Sequence, residues 1–236
     1  MNIWTLCDGK RFTKAISAEA WRVVEAQHIL SSRDLVDSRE EHDLLESLIE
    51  ESKPVIAKEK NYLIFTPFRY PPLKYGSRFG RVFEPSLWYG SLELATAFTE
   101  VAYYRLKFFD DSSAALGYVE ISMTAFTAAI GSNNGVDLTT PPFNQYTQEI
   151  SNKNTYEHSQ LLGTTMREEQ IDAFLYFSAR TNEMSKNIAA FTPSIFQCVN
   201  NQQTWKCFAD NHIIEFTRLG ILGKKQFSFS ANNFRQ

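Results

Sequence analysis

Ile171-Asp172-Ala173-Phe174-Leu175-Tyr176-Phe177-Ser178-Ala179-Arg180 is the stretch that decides the fold class. Its apolar run has the length of a buried strand and stops abruptly on Ser-Ala-Arg. Further strand patterns follow at 187–196, 213–219 and 226–230, and two precede it at 117–123 and 126–130. Gly131-Ser132-Asn133-Asn134-Gly135 then reads as a turn-rich loop. A helix is expected over 156–169, but few helices of crossover length separate these strands. That pattern predicts an α+β fold with a mixed, mostly antiparallel sheet, and not a doubly wound one.

Upstream of this stretch, Tyr62-Leu63-Ile64-Phe65 reads as a short buried strand, broken by Pro67, Pro71 and Pro72. Gly76-Ser77-Arg78-Phe79-Gly80-Arg81 continues as a flexible cationic loop, and Leu87-Trp88-Tyr89 as a short strand. Ser91 is the expected cap of a helix running to about Lys107. The first 55 residues are polar and helical in pattern. Trp21, Val24 and Ile29 suggest one helix face over 21–30. Ser38 and Glu41 read as a capping box before Leu44, Leu45, Leu48 and Ile49, with Pro54 just beyond. The expected division is a helical N-terminal extension over 1–55 and a main domain over 56–236.

Composition narrows the class of function. The 236 residues carry a net charge of -3 with only short basic clusters such as Lys224-Lys225, which argues against nucleic acid as a direct partner. Aromatics reach 14%, enough to supply both a ring-rich core and flat surfaces for a planar ligand. Cys7, Cys198 and Cys207 have no CxxC spacing, so no disulfide framework is expected, and Cys198 and Cys207 read as small buried apolar residues. His28, His42, His158 and His212 are scattered, and no zinc-like cluster appears. MNIWTLCDGK lacks the basic-then-apolar order of a signal peptide, and no run of about 18 apolar residues would span a membrane. A cytoplasmic protein without metal is the expectation.

The helix after Ser91 carries the most chemistry. Leu94, Ala97, Phe98 and Val101 form an apolar stripe, and Glu100 lies at its margin, with Glu93 a rival on the same strip. A carboxylate at the edge of a buried face can look into a cleft; alone, a solvated surface glutamate is the simpler reading. Arg69, Arg78 and Arg81 precede the helix, Tyr89 ends the short strand feeding it, and Ser178 and Arg180 end an apolar strand. Arginine, tyrosine, glutamate and serine together suit a nucleotide with its phosphate, ring and ribose. Neither GxxxxGK[ST] nor GxGxxG occurs, so redox use of NAD is not indicated. A Ser178–His158–Asp172 hydrolase lacks the GxSxG elbow, and Asp172 begins the strand that Ser178 ends.

These residues have a familiar order. Gly76-Ser77-Arg78-Phe79, Trp88-Tyr89, Ala97-Phe98-Thr99-Glu100, the strand closing on Ser178-Ala179-Arg180 and Asn187-Ile188-Ala189-Ala190-Phe191-Thr192-Pro193 together resemble the RES-domain pattern over roughly 60–220. The arginine-to-tyrosine gap is one residue longer than that pattern. Arg78 is therefore the first choice, with Arg69 and Arg81 as alternates.

The resemblance implies a fold like that of ADP-ribosyltransferases, with 56–236 as the catalytic domain of the toxin half of a toxin–antitoxin pair. It implies that NAD⁺ is consumed as substrate by cleavage of the nicotinamide–ribose bond, without metal. Glu100 would stabilise the cationic ribose, Arg78 would hold a phosphate, Tyr89 would stack on nicotinamide or ribose, and Ser178 would orient a ribose or the amide. The implied partner is an Xre-like helix-turn-helix antitoxin, in a hetero-oligomer where the antitoxin contacts DNA. Transfer of ADP-ribose to a protein, and a non-catalytic binding module of the same fold, stay open as alternatives.

Overall fold

The computed structural model describes residues 2–26, 36–51, 61–69, 74–113, 117–220 and 225–235. Pro54, Pro71, Pro72, Ile29 and Lys224 lie outside them. Helices among the described residues are α1 (Ile3–Leu6), α2 (Arg39–Glu51), α3 (Tyr62–Arg69), α4 (Leu94–Asp111), α5 (Thr147–Ile150) and α6 (Glu157–Glu168). Strands are β1 (Lys14–Glu25), β2 (Trp88–Ser91), β3 (Tyr118–Asp137), β4 (Ala173–Phe177), β5 (Lys186–Ala190), β6 (Phe196–Asp210), β7 (Ile213–Arg218) and β8 (Gln226–Ser230). They form one sheet in the order β1-β2-β5-β4-β3-β6-β7-β8, and a further β1–β3 pairing closes the first five into a ring. Only β3–β4 is parallel, so the expected mixed, mostly antiparallel sheet is present.

The N-terminal expectation needs correction. Trp21 to Glu25 are not helical: they belong to β1, which runs antiparallel to β3 from Lys14↔Gly135 to Glu25↔Met123, and 27–30 lie outside the described residues. Ile16, Ala20 and Val24 pack in one apolar cluster with Trp88 and Phe126, while Trp21 and Val23 pack in another with Phe98 and Trp205. With both faces covered over its second half, the strand loses the period-2 alternation that would have identified it. Residues 14–25, expected within a helical extension, are therefore a strand of the sheet. The expected cap is present in part: the Glu41 amide donates to Ser38 Oγ at 3.1 Å, while the Glu41 carboxylate accepts from the Asp37 amide at 3.1 Å and not from that of Ser38.

Other boundaries shift for identifiable reasons. Tyr62 to Phe65 form the start of α3, with the Leu63 amide donating to Asn61 Oδ1; four apolar residues fit a helix turn as well as a strand. The strands expected at 117–123 and 126–130 are one 20-residue strand that continues through the supposed 131–135 loop. Gly135 leaves room there: a Cβ would lie 2.7 Å from Ile16 Cγ1 and 3.0 Å from the Ala173 carbonyl oxygen. The 187–196 pattern divides into β5 and the start of β6, separated by a 3-10 turn at Pro193–Ile195. Strand β6 itself escaped prediction because Asn200-Asn201-Gln202-Gln203 has no apolar residue. Ser91 does not cap α4; it lies in β2, and Glu93 occupies the cap position without a side-chain bond. Cys207 is buried as expected, but Cys198 is exposed.

Three apolar clusters hold these elements. One gathers α1 and α6 with Phe79, Phe143 and Phe174; one fills the ring around Trp88 and Phe126; the third packs α4 on β6, β7 and β8. Among the described residues, no helix is long and apolar enough to cross a membrane.

Candidate active site

Glu100 stands on the second turn of α4, and Ala97 and Phe98 beside it are buried against the third cluster. Anchored on that side, the helix presents Glu100 to a cavity of about 510 Å³ also lined by Arg78, Tyr89, Tyr156, Tyr176 and Asn187. The volume lies within the ~300–1,000 Å³ of small-molecule sites. Two donors meet on Glu100 Oε1: Ser178 Oγ at 2.6 Å and Asn187 Nδ2 at 2.8 Å. Ser91 Oγ in turn donates to Asn187 Oδ1 at 2.7 Å, and Ser178 Oγ accepts from the Arg180 amide at 3.1 Å. Every member of this chain has a defined direction, so Oε1 of the carboxylate is fixed as an acceptor at the wall of the cavity.

The sheet brings these donors together. Ser178 follows the last residue of β4, and Asn187 lies in β5, whose pairing with β4 sets Tyr176↔Asn187. Pairing of β2 with β5 sets Ser91↔Asn187. The Ser178 hydroxyl donates to Glu100, and Ser178 is not among the residues that line the cavity.

Arg78 sits in the turn closed by the Ser77↔Gly80 bridge. Its Nη1 donates to the Asn152 carbonyl at 2.7 Å, and its guanidinium lies 4.8 Å from the Tyr156 ring centroid. Tyr89 ties this turn to the sheet: its hydroxyl shares a 2.8 Å hydrogen bond with Ser77 Oγ and accepts from the Phe79 amide at 3.2 Å. Burial raises the Tyr89 pKa, against the pull of the Ser77 and Phe79 bonds and the Arg78 charge, so the phenol is neutral. Burial also raises Tyr176, reinforced by the Glu100 charge. Arg69 ends α3, and Arg81 gives its backbone amide to Glu84 at 2.7 Å; neither lines the cavity. Glu93 is exposed and also outside it.

Asn187 and Arg22 line the cavity but were not among the expected site residues. Asn187 is 2% exposed, an amide at the head of an apolar strand. Arg22 is a lone cation inside Ala20-Trp21-Arg22-Val23-Val24. A polar side chain interrupting an apolar strand was the available signal for both. The alternative hydrolase does not assemble: the Asp172 carboxylate accepts from Ser132 Oγ at 2.7 Å, while Ser178 is bonded to Glu100. Among the described residues, no group of three or more His, Cys, Asp or Glu could hold a metal ion.

A chain of the crystal structure of the M. tuberculosis MbcT–MbcA toxin–antitoxin complex has the same fold. The TM-score is 0.51 at 12% identity, covering 85% of this chain and 90% of that one. Comparison with curated proteins returns no match. A family model, the RES domain, matches residues 54–210, the span that contains Arg78, Tyr89, Glu100, Ser178 and Asn187. That span is more than half of the chain, and the protein belongs to the RES domain family.

Proposed function

We propose that this chain is the toxin of a toxin–antitoxin pair and consumes NAD⁺ by cleaving the nicotinamide–ribose bond. Membership of the RES domain family supports the reading, as does a shared fold with a chain from a toxin–antitoxin complex. The observation that carries it is the Glu100 carboxylate, held on Oε1 by Ser178 and Asn187 at the wall of a cavity that also holds Arg78 and Tyr89.

Nicotinamide in NAD⁺ is already cationic. When its bond to ribose breaks, the electron pair goes to the ring nitrogen, neutral nicotinamide leaves, and positive charge develops on the ribose. A preorganised carboxylate stabilises that charge with little reorganisation, so positioning and electrostatics suffice without a metal. Glu100 is the catalytic residue. Ser178 and Asn187 position it, Arg78 holds a phosphate through the guanidinium nitrogens not committed to Asn152, and the Tyr89 ring stacks on nicotinamide or ribose. Water, phosphate or a protein side chain then attacks the ribose carbon. An Xre-like helix-turn-helix antitoxin binds the toxin in the cytoplasm, blocks the cavity and supplies any DNA contact.

The test is direct. Purified protein is mixed with NAD⁺, nicotinamide release is measured, and the second product is identified as ADP-ribose, its phosphate adduct or a modified protein. Release of nicotinamide is the expected outcome. Absence of release, with growth and NAD⁺ levels unchanged on strong expression of the chain alone, sinks the proposal.

A further inference from the structure

The turn that carries Arg78 is held from two sides. On the sheet side, the Tyr89 hydroxyl bonds Ser77 Oγ and the Phe79 amide. On the other side lies α6, none of whose residues lines the cavity. Gln160 Nε2 donates to the Ser77 carbonyl at 3.0 Å and lies 3.4 Å from the carbonyl oxygens of Tyr75 and Gly80. Three backbone acceptors of one turn converge on a single amide nitrogen that has two protons to share. Across the turn itself, the Ser77 amide donates to the Gly80 carbonyl at 2.7 Å and the Gly80 amide to the Ser77 carbonyl at 3.4 Å. Gln160 therefore grips the same two carbonyls that close the turn.

The fit continues along the helix. Gly163 is bare where the turn presses on α6: a Cβ there would lie 2.1 Å from the Phe79 carbonyl oxygen and 2.8 Å from its carbonyl carbon. Next to it, Thr164 Oγ1 donates to Glu84 Oε1 at 2.5 Å, and Glu84 Oε2 accepts the Arg81 amide at 2.7 Å. Positions 160, 163 and 164 share one helix face, as their spacing of three and four requires.

The start of the same helix holds the far end of Arg78. The guanidinium donates to the Asn152 carbonyl and lies over the ring of Tyr156, the cap residue of α6. Asn152 Oδ1 in turn accepts from the Asn154 and Thr155 amides at 2.9 and 3.0 Å, which fixes the lead-in to the helix. Backbone and tip of a long side chain are thus both set by one helix, which removes rotamer freedom before any ligand arrives.

We propose that Gln160 is a positioning residue of this site: it holds the backbone of the 75–80 turn so that Arg78 faces the cavity. The consequence for substrate rests on the proposed NAD⁺ reading, while the grip on the turn does not. Gln160 acts through Arg78 and lies outside the cavity wall. Its loss therefore falls on ground-state binding and not on the bond that breaks.

The experiment compares the wild-type chain with Gln160→Leu, which keeps a comparable bulk and donates nothing. Circular dichroism checks folding. Hydrogen–deuterium exchange then reads the Ser77 and Gly80 amides, and nicotinamide release reads KM and kcat for NAD⁺. Loss of the shared hydrogen bonds predicts about 10-fold faster exchange at those two amides. KM should rise by about 10-fold with kcat kept within about 2-fold. Unchanged exchange overturns the inference. So does faster exchange with KM unchanged, because the grip would then not serve binding. A fall in kcat at constant KM overturns it as well, since Gln160 would then act on the reaction step. Should Gln160→Leu fail to fold, Gln160→Glu keeps the length, turns oxygens toward the three carbonyls, and is judged by the same two readouts. A wild type that releases no nicotinamide sinks the proposed reaction, and exchange alone then decides for or against the grip of Gln160. Nicotinamide release with exchange indifferent to Gln160 leaves the reaction standing and sinks this inference.

Discussion

Helix α4 lies between two regions of unlike character. On one side, the Phe98 ring is fully buried, with centroids at 4.6 Å from Trp205, 4.6 Å from Phe216 and 4.8 Å from Phe227. On the other, two residues further along, Glu100 meets Ser178 and Asn187. The first region is packed from apolar side chains; the second is a chain of directed hydrogen bonds. Aromatic packing is tolerant in detail but large in sum. The polar chain is smaller in energy and strict in geometry. The β6–β7–β8 side therefore holds the helix, and the β4–β5 end aims the carboxylate.

The sharpest way to break this division is at Phe98. Phe98→Ala should cost about 3–5 kcal/mol of stability, the range for emptying a large aromatic site, read as a lowered denaturation midpoint. A loss below about 1 kcal/mol would mean that α4 is held elsewhere. Glu100→Gln tests the other side. It should lower nicotinamide release about 100- to 1000-fold, as expected for losing one preorganised charge, with the thermal midpoint unchanged. Glu93→Gln is the matched control on an exposed site and should behave as wild type. An inactive Glu93→Gln with an active Glu100→Gln would mean that the carboxylate is misassigned.

Ser178→Ala sharpens the comparison at smaller scale. One hydrogen bond to a charged acceptor, at the lower end of ~1.5–3 kcal/mol, corresponds to roughly 10-fold in rate, because Asn187 still holds Oε1. The loss should fall on kcat more than on KM, since Ser178 acts through Glu100; a change confined to KM would place Ser178 against the substrate instead. The smallest effect expected is none at all. Exhaustive chelation should leave nicotinamide release intact, and restoration of a lost activity by added metal would reveal a site that this account lacks.

Much of the molecule was legible in sequence where one principle dominated. Ile213 to Arg218 and Gln226 to Ser230 alternate or run apolar within clear turns, and both strands form as expected. The stripe of Ala97 and Phe98 put Glu100 at the margin of a buried face, where the structure has it. Legibility failed where one segment answers to two neighbours. Strand β1 is covered on both faces and imitates a helix stripe at Trp21 and Val24. Asn200 to Gln203 are polar but form strand β6, because pairing with β3 and not burial holds them there. Ser91 has the chemistry of a helix cap, but its hydroxyl is taken by Asn187, 96 residues away.

By itself the sequence determined the fold class, the order of Arg78, Tyr89, Glu100 and Ser178, and the resemblance those residues carry, because apolar periodicity and residue type are local properties. Only the tertiary structure decided that Ser178 serves Glu100 and does not line the cavity, that Asn187 completes the carboxylate's support, and that Arg22 joins the wall from a strand near the N-terminus. Each of those contacts spans tens of residues along the chain and is set by strand register and ring closure of the sheet. Register is fixed by which faces are buried once all the strands are paired, and no single segment carries that information.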